Sequence, residues 1–375
     1  MKKFLSLMMA ALMMAVCLTA CGSDASSTAS QATSTGSGTA ASEAQPDNYL
    51  DKEPLRVATI TAQMGVYLQY ALDNGLFEDA GINVEMFLFD GAVAINEAVG
   101  AGELDGCIGG LGSVYALSSN QLVLLSELDS VNADGIVVRN DSDILTAKGE
   151  IEGKPDMYGS AETLRGKSFI CQVGQAQQFY VSKYISQFGL TENDISFVNM
   201  EVASSYQAFV AGEGDAISTK MPYIYDLVND NDCTIVADVK DATDIEIKDP
   251  VMFTPEAIEN RREEVKIFLK VIHGVVDEMQ ADPELRKTAI TDFYTAVGKD
   301  TQPEYLDYEL EQNTLIDTKR MAEDDYCVGD GFYAVGEFYV STGTIPEADL
   351  PNILANIDTS LVSEALGFEV KAFEG

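Results

Sequence analysis

The chain is 375 residues long and carries 61 acidic against 23 basic residues, a formal net charge of −38. So acidic a surface repels nucleic acid and anionic headgroups, which excludes a nucleic-acid partner and keeps a body soluble. One histidine and six cysteines without a CxxC pair leave little from which to build a metal site or a histidine-centred catalyst.

Lys2 and Lys3 precede an almost wholly apolar run over residues 4–18, too short for a permanent membrane span and suited to a secretory signal. It ends in Leu18-Thr19-Ala20-Cys21-Gly22, which resembles the bacterial lipobox. The expectation is a signal peptide over residues 1–20 and lipidation of Cys21. Cleavage there removes two lysines and no acid, moving the charge from −38 to −40. Residues 22–45 are mostly Ser, Thr, Ala and Gly and cannot offset their ordering entropy, so residues 21–50 are expected to form a flexible tether. A lipid on such a leash holds a body at a membrane without embedding it.

The remaining body exceeds the size at which one core usually divides, so two lobes are expected. Residues 55–60 read as a buried strand and 64–74 as a helix stopped by Gly75. Strand 82–89, the Asp90-Gly91 turn, helix 92–101, strand 105–109, the turn at 110–112, helix 113–119 and strand 122–128 follow. The alternation repeats over strand 168–173, helix 176–188, strand 195–199, helix 203–211, strand 216–219, helix 222–229 and strand 234–237. Such alternation implies parallel sheets with right-handed crossovers. Both halves share a device, Ala-Val-Gly-Ala-Gly-Glu-Leu-Asp-Gly at 98–106 and Ala-Phe-Val-Ala-Gly-Glu-Gly-Asp-Ala at 208–216, in which a glycine caps a helix and an aspartate opens the next strand. Beyond Pro250 the chain reads as helical. One long helix is expected from Pro255 to about residue 280, then helices at 283–297, 303–310 and 331–341.

Several short runs stand in a recognisable order: Leu55-Arg56-Val57-Ala58, Asn74-Gly75-Leu76-Phe77-Glu78, Gly81-Ile82-Asn83-Val84-Glu85, Ala101-Gly102-Glu103-Leu104-Asp105-Gly106, Asp143 with Leu164-Arg165-Gly166-Lys167, Gly189-Leu190-Thr191, and Gly212-Glu213-Gly214-Asp215-Ala216. Together they resemble the nitrate/sulfonate/taurine-type solute-binding proteins, a group related to the thiamine-pyrimidine-precursor binders, over about residues 54–280. The resemblance implies an α/β, type II periplasmic-binding-protein-like fold: two α/β lobes with a ligand cleft and hinge, joined by crossing strands at 136–139 and 251–254. The expected division is 51–138 for the first part of lobe 1, 139–248 for lobe 2, and 249–375 for the return to lobe 1 and the C-terminal helices. The implied function is that of the extracytoplasmic substrate-binding lipoprotein of an ABC importer, a monomer anchored to the cell membrane through Cys21. It would capture a small molecule of the sulfonate, nitrate or pyrimidine-like class for the permease subunits, with no cofactor and no metal. A sensor lipoprotein or a small-molecule enzyme on the same scaffold is the alternative.

In open α/β sheets ligands bind beyond the carboxyl ends of the strands. That rule selects Gln63, Met64, Phe89, Asp90, Gly110, Gly112 and Ser113 in the first half, and Gly174, Gln175, Glu201, Lys220 and Tyr223 in the second. Gln63, Ser113 and Gln175 are hydrogen-bond donors beside helix starts, whose free amides favour anions or carbonyl oxygens. Phe89 and Tyr223 are flat walls for a planar ligand. Lys220 suits an anionic group, whereas Asp90 and Glu201 suit an amine or heterocycle. Many relatives of this type have a Ser/Thr-rich turn where this chain has Gln175-Ala176-Gln177-Gln178, and a tryptophan where it has Lys220-Met221-Pro222. The ligand class is therefore left open. His273 lies in an aliphatic helical run, and Cys107, Cys171, Cys233 and Cys327 are expected as buried free thiols; no catalytic motif accompanies them.

Overall fold

The computed structural model describes residues 48–299 and 302–375. The expected signal peptide and Cys21 lie outside the described residues, as does most of the expected tether. Ten strands form two five-stranded sheets. The strands are β1 Leu55–Ile60, β2 Val84–Phe89, β3 Gly106–Ile108, β4 Val123–Ser130, β5 Gly135–Arg139, β6 Ser168–Cys171, β7 Ser196–Asn199, β8 Ala216–Thr219, β9 Cys233–Asp238 and β10 Lys248–Phe253. The first sheet has the order β2-β1-β3-β10-β4 and the second β7-β6-β8-β5-β9. In each, parallel strands are followed by one antiparallel strand: β10 runs against β3 and β4, and β5 runs against β8 and β9.

β5 and β10 are where the halves exchange chain. β4 belongs to the first sheet and β5 to the second, so the chain crosses over 131–134; it returns over 239–247, through the short helix Val239–Thr243. The crossing strands expected at 136–139 and 251–254 fall in β5 and in β10 with its following residue, Thr254.

The second sheet is buried on both faces, as the pleat shows. Ile136, Val138, Phe169 and Ala216 enter one apolar cluster, while Val137, Ile170 and Ile217 enter the other. The first sheet sits in a much larger core, to which the C-terminal helices contribute. There Phe77 stacks on Phe268 at 5.2 Å, and Phe268 meets Phe253 edge-on at the same distance.

One expectation is corrected. The helix from Pro255 is two helices, Pro255–Asn260 and Arg262–Ala281, broken at Arg261. The break lets the Arg261 guanidinium donate to the carbonyls of Glu53 and Pro54, at 2.6 and 2.9 Å, and to Glu264. Periodicity cannot mark such a break, because the residues on both sides are good helix formers. The short helices Leu76–Asp79, Val239–Thr243 and Ser360–Leu366 are not marked in the sequence, being too short to show a period.

Candidate functional site

The loops after β1, β2 and β3 and those after β6, β7 and β8 meet in one cleft, floored by the two crossings. Its inner chamber measures about 90 Å³. It shares Asp90, Gly91, Gln172, Val202 and Lys220 with an outer cavity of about 600 Å³.

Seven expected residues line the inner chamber: Gln63, Met64, Asp90, Gly110, Gly112, Gln175 and Lys220. Glu201 and Tyr223 line the outer cavity, together with Asp90 and Lys220. Three others line neither. Phe89, at the end of β2, packs against the lobe 1 core. Ser113 is fully buried, its Oγ pressed against Gly109 where a Cβ would stand 2.6 Å away. Gly174 is a turn residue with φ +81°, and its amide donates to Gln178 Oε1 at 2.9 Å. A position at or beyond a strand's end does not by itself decide whether a residue faces the cleft or its own lobe.

Gly112 shows why a residue without a side chain stands there. A Cβ would lie 2.9 Å from Gln175 Oε1 and 3.1 Å from the Ala92 Cβ, so glycine is what lets Gln175 close over this loop. Tyr339 reinforces the closure by donating its hydroxyl to the Gln175 carbonyl at 3.1 Å. Phe179, on the helix that Gln175 opens, packs edge-on against Phe338 at 5.2 Å.

Three glutamine amides on the wall, those of Gln63, Gln172 and Gln175, are already engaged. Gln63 Nε2 donates to Asp129 Oδ2 at 3.2 Å and to the Tyr67 hydroxyl at 3.4 Å, while Gln63 Oε1 accepts from Asn313 Nδ2 at 2.8 Å. Tyr67 also donates to Asp129. Gln175 Nε2 donates to the Gly174 carbonyl at 3.0 Å, and Gln172 Nε2 to Glu201 Oε2 at 2.7 Å.

Sequence reasoning missed the acids on the cleft floor. Asp134 lies on the first crossing, Asp249 in β10 at the return crossing, and Glu309 on the helix Pro303–Gln312; all three line the chamber and are buried. Burial pushes the Asp134 carboxyl up to about 7, against the pull of Lys220. Burial does the same for Glu309, also to about 7, against the Tyr294 hydrogen bond and the charges of Arg286 and Lys299. Asp249 is held well above the carboxylate range by burial and by the charges of Asp129 and Asp134. The signal was present: Asp134 and Asp249 each stand two residues before a crossing strand read from the sequence, as Asp134-Gly135-Ile136 and Asp249-Pro250-Val251.

The histidine and the described thiols sit elsewhere. His273 is fully buried, with Nε2 2.9 Å from Ser126 Oγ, and burial drives its pKa down to about 4. All four thiols are free, and burial pushes Cys107 and Cys171 up to about 12. Among the described residues no group of His, Cys, Asp and Glu is placed to hold a metal ion, and no helix is long and apolar enough to cross a membrane.

Residues 61–285, well over half of the chain, match the model of the NMT1/THI5-like family. The chain belongs to this family. Its similarity to another protein runs through most of the length: it is 27% identical over 317 residues to an ABC transporter periplasmic binding protein of Brachyspira hyodysenteriae, covering 84% of this chain and 90% of that one. Solved structures share the fold. The alkanesulfonate-binding protein SsuA of Xanthomonas axonopodis pv. citri, bound to MOPS, superposes with a TM-score of 0.62 at 14% identity, covering 81% of this chain and 98% of that one. The nitrate-binding protein NrtA of Synechocystis PCC 6803 gives 0.61 at 13%, covering 84% and 88%. This NMT1/THI5-like chain therefore has the periplasmic-binding-protein fold, with its cleft between two α/β lobes.

Proposed function

We propose that this chain is the extracytoplasmic substrate-binding protein of an ABC importer, closing two lobes on one small molecule and presenting it to permease subunits. The observation that carries this reading is the convergence of strand-end loops from both sheets on one chamber whose floor is the pair of crossings. A hinge that is also the floor couples capture to shape, because a molecule touching both crossings and both lobes favours the closed arrangement. The name of the Brachyspira relative supports the same role. The burial of His273, Cys107 and Cys171 away from the cleft supports binding without turnover.

The ligand is expected to raise the melting temperature and to reduce the radius of gyration in small-angle scattering. A tightly bound ligand that leaves the scattering curve unchanged overturns the capture reading. The anchor is a separate part of the proposal: Cys21→Ala is expected to move the protein from the membrane fraction into the medium, and retention in the membrane overturns it.

A further inference from the structure

Resting on the capture reading above, we propose that the inner chamber takes the head of a compact organic cation with several N–H donors, an ammonium, amidinium or guanidinium group, in preference to an oxyanion. Four acids line the chamber, Asp90, Asp134, Asp249 and Glu309, and Lys220 is the one base among the described residues that do so. Asp134, Asp249 and Glu309 are only 8%, 4% and 2% exposed. Glu309 Oε1 accepts the Tyr294 hydroxyl at 2.8 Å, while its Oε2 is buried with no hydrogen-bond partner. A carboxylate oxygen left so is costly, and a ligand N–H that reaches it removes the cost.

Two amides that an oxyanion would use, those of Gln63 and Gln175, are turned away from the chamber. Both protons of the Gln63 amide go to Asp129 and Tyr67, and Gln175 Nε2 bonds its neighbour's carbonyl. Two further bases are held behind the chamber or outside it. Arg286 donates to the Asn313 carbonyl at 3.0 Å, and Lys299 donates to the Thr61 carbonyl and lines the outer cavity. Lys220 stands where the chamber meets that cavity. The acids are not gathered as a metal cage, so they suit a head of several atoms that reaches them separately. Tyr180 and Tyr294 add aromatic walls, which favour a cation further. A chamber of about 90 Å³ admits a head group, and the outer cavity of about 600 Å³ has room for the rest of the molecule.

The titration of the site gives the proposal a sign. With Asp134 and Glu309 raised to about 7 and Asp249 held well above the carboxylate range, a cation that needs them ionised displaces protons on binding. Its affinity strengthens as pH rises through 7. An oxyanion held by protonated carboxyls would show the opposite slope.

The test is calorimetry and thermal shift on the full chain with agmatine, histamine, benzylamine, ethanesulfonate, nitrate and magnesium chloride as probes. The expected result is that an amine or amidine probe binds at pH 8, with affinity about tenfold or more weaker at pH 5.5. Glu309→Gln is expected to weaken it by a similar factor while raising the melting temperature of the ligand-free protein, which shows that the variant folds. Asp324→Asn, on the exposed surface, is expected to change neither. Failure of all three nitrogen bases to bind overturns the proposal, as does stabilisation by magnesium alone. Binding of ethanesulfonate or nitrate that tightens on acidification overturns the cation but leaves capture standing if scattering shows compaction. A nitrogen base that binds with the expected pH slope but without compaction sustains the cation and overturns capture.

Discussion

In lobe 1 the helix Ala92–Gly100 gives way to Gly102 at φ +74°, and Asp105 accepts the Arg56 amide of β1 at 2.8 Å. In lobe 2 the helix Val202–Val210 gives way to Gly212 at φ +97°, and Asp215 accepts the Ser168 amide of β6, also at 2.8 Å. The backbone bonds match as well: Asp105 N to Arg56 O and Asp215 N to Ser168 O are both 2.9 Å. The left-handed glycine ends the helix, and the aspartate ties the incoming strand to the parallel strand beside it. What differs is the filling. Where β3 meets the crossing strand β10, Gly106 opposes Phe253; where β8 meets β5, Ala216 opposes Val138. One lobe pairs large with none, the other medium with small. The same winding thus tolerates two packings, and the apolar cluster around the first sheet is the larger.

The comparison can be broken most sharply at that pair. A Cβ on Gly106 would meet the Phe253 ring at 2.6 Å and the Met252 carbonyl at 2.7 Å. Gly106→Ala is therefore expected to cost about 2–3 kcal/mol. Adding Phe253→Val, which copies the lobe 2 pair, is expected to recover part of that loss. Urea denaturation of the single and double variants measures the coupling, and strict additivity would show that the two sites do not exchange volume.

The tying aspartates come next. Asp105 also receives the Arg56 and Arg261 guanidiniums, whereas Asp215 receives only the Ser168 amide and hydroxyl. Asp105→Ala is expected to cost about 2–3 kcal/mol and Asp215→Ala about 1–2 kcal/mol, read from the same denaturation curves. Equal losses would argue that the helix-capping turn, and not the charge contact, carries the device.

A smaller effect is the pH dependence. Glu127, Asp134 and Glu309 titrate near 7 in the folded chain, raised by burial from 4.5, 3.8 and 4.5. Between those ordinary values and 7 the folded state holds more protons than the unfolded one, so these groups make stability fall as pH rises from about 4 to 7 and then level off. His273 works the other way: its pKa is lowered from 6.5 to about 4, so its share of stability grows as pH rises across that window. Chemical denaturation from pH 4 to 8 is expected to show a net fall, flattened by Asp134→Asn and Glu309→Gln. A profile that rises throughout would show these carboxyls ionised in the ligand-free cleft.

The smallest effect belongs to a contact between the lobes. Tyr308 of the helix Pro303–Gln312 meets Tyr225 of lobe 2 edge-on at 6.1 Å. Tyr308→Ala is expected to cost about 1 kcal/mol and to speed hydrogen exchange in lobe 2 more than in lobe 1.

Local chemistry was enough to read the strands at 55–60 and 216–219, which coincide with β1 and β8, and the repeated cap at Gly102 and Gly212. Apolar runs bounded by glycines, and glycines in left-handed turns, need only near neighbours. The order of short motifs also revealed the architecture, because each lobe is wound from the same device. Three decisions belonged to the tertiary structure. Arg261 breaks a helix to bond residues more than two hundred positions earlier. Phe89, Ser113 and Gly174 line neither cavity although they stand at or beyond the ends of strands that point into the cleft. Glu309 is buried because the helix Pro303–Gln312, expected from the sequence without a site role, folds back over the chamber. A sequence pattern identifies the face of an element, but only the packing of distant segments decides whether that face meets water, core or ligand.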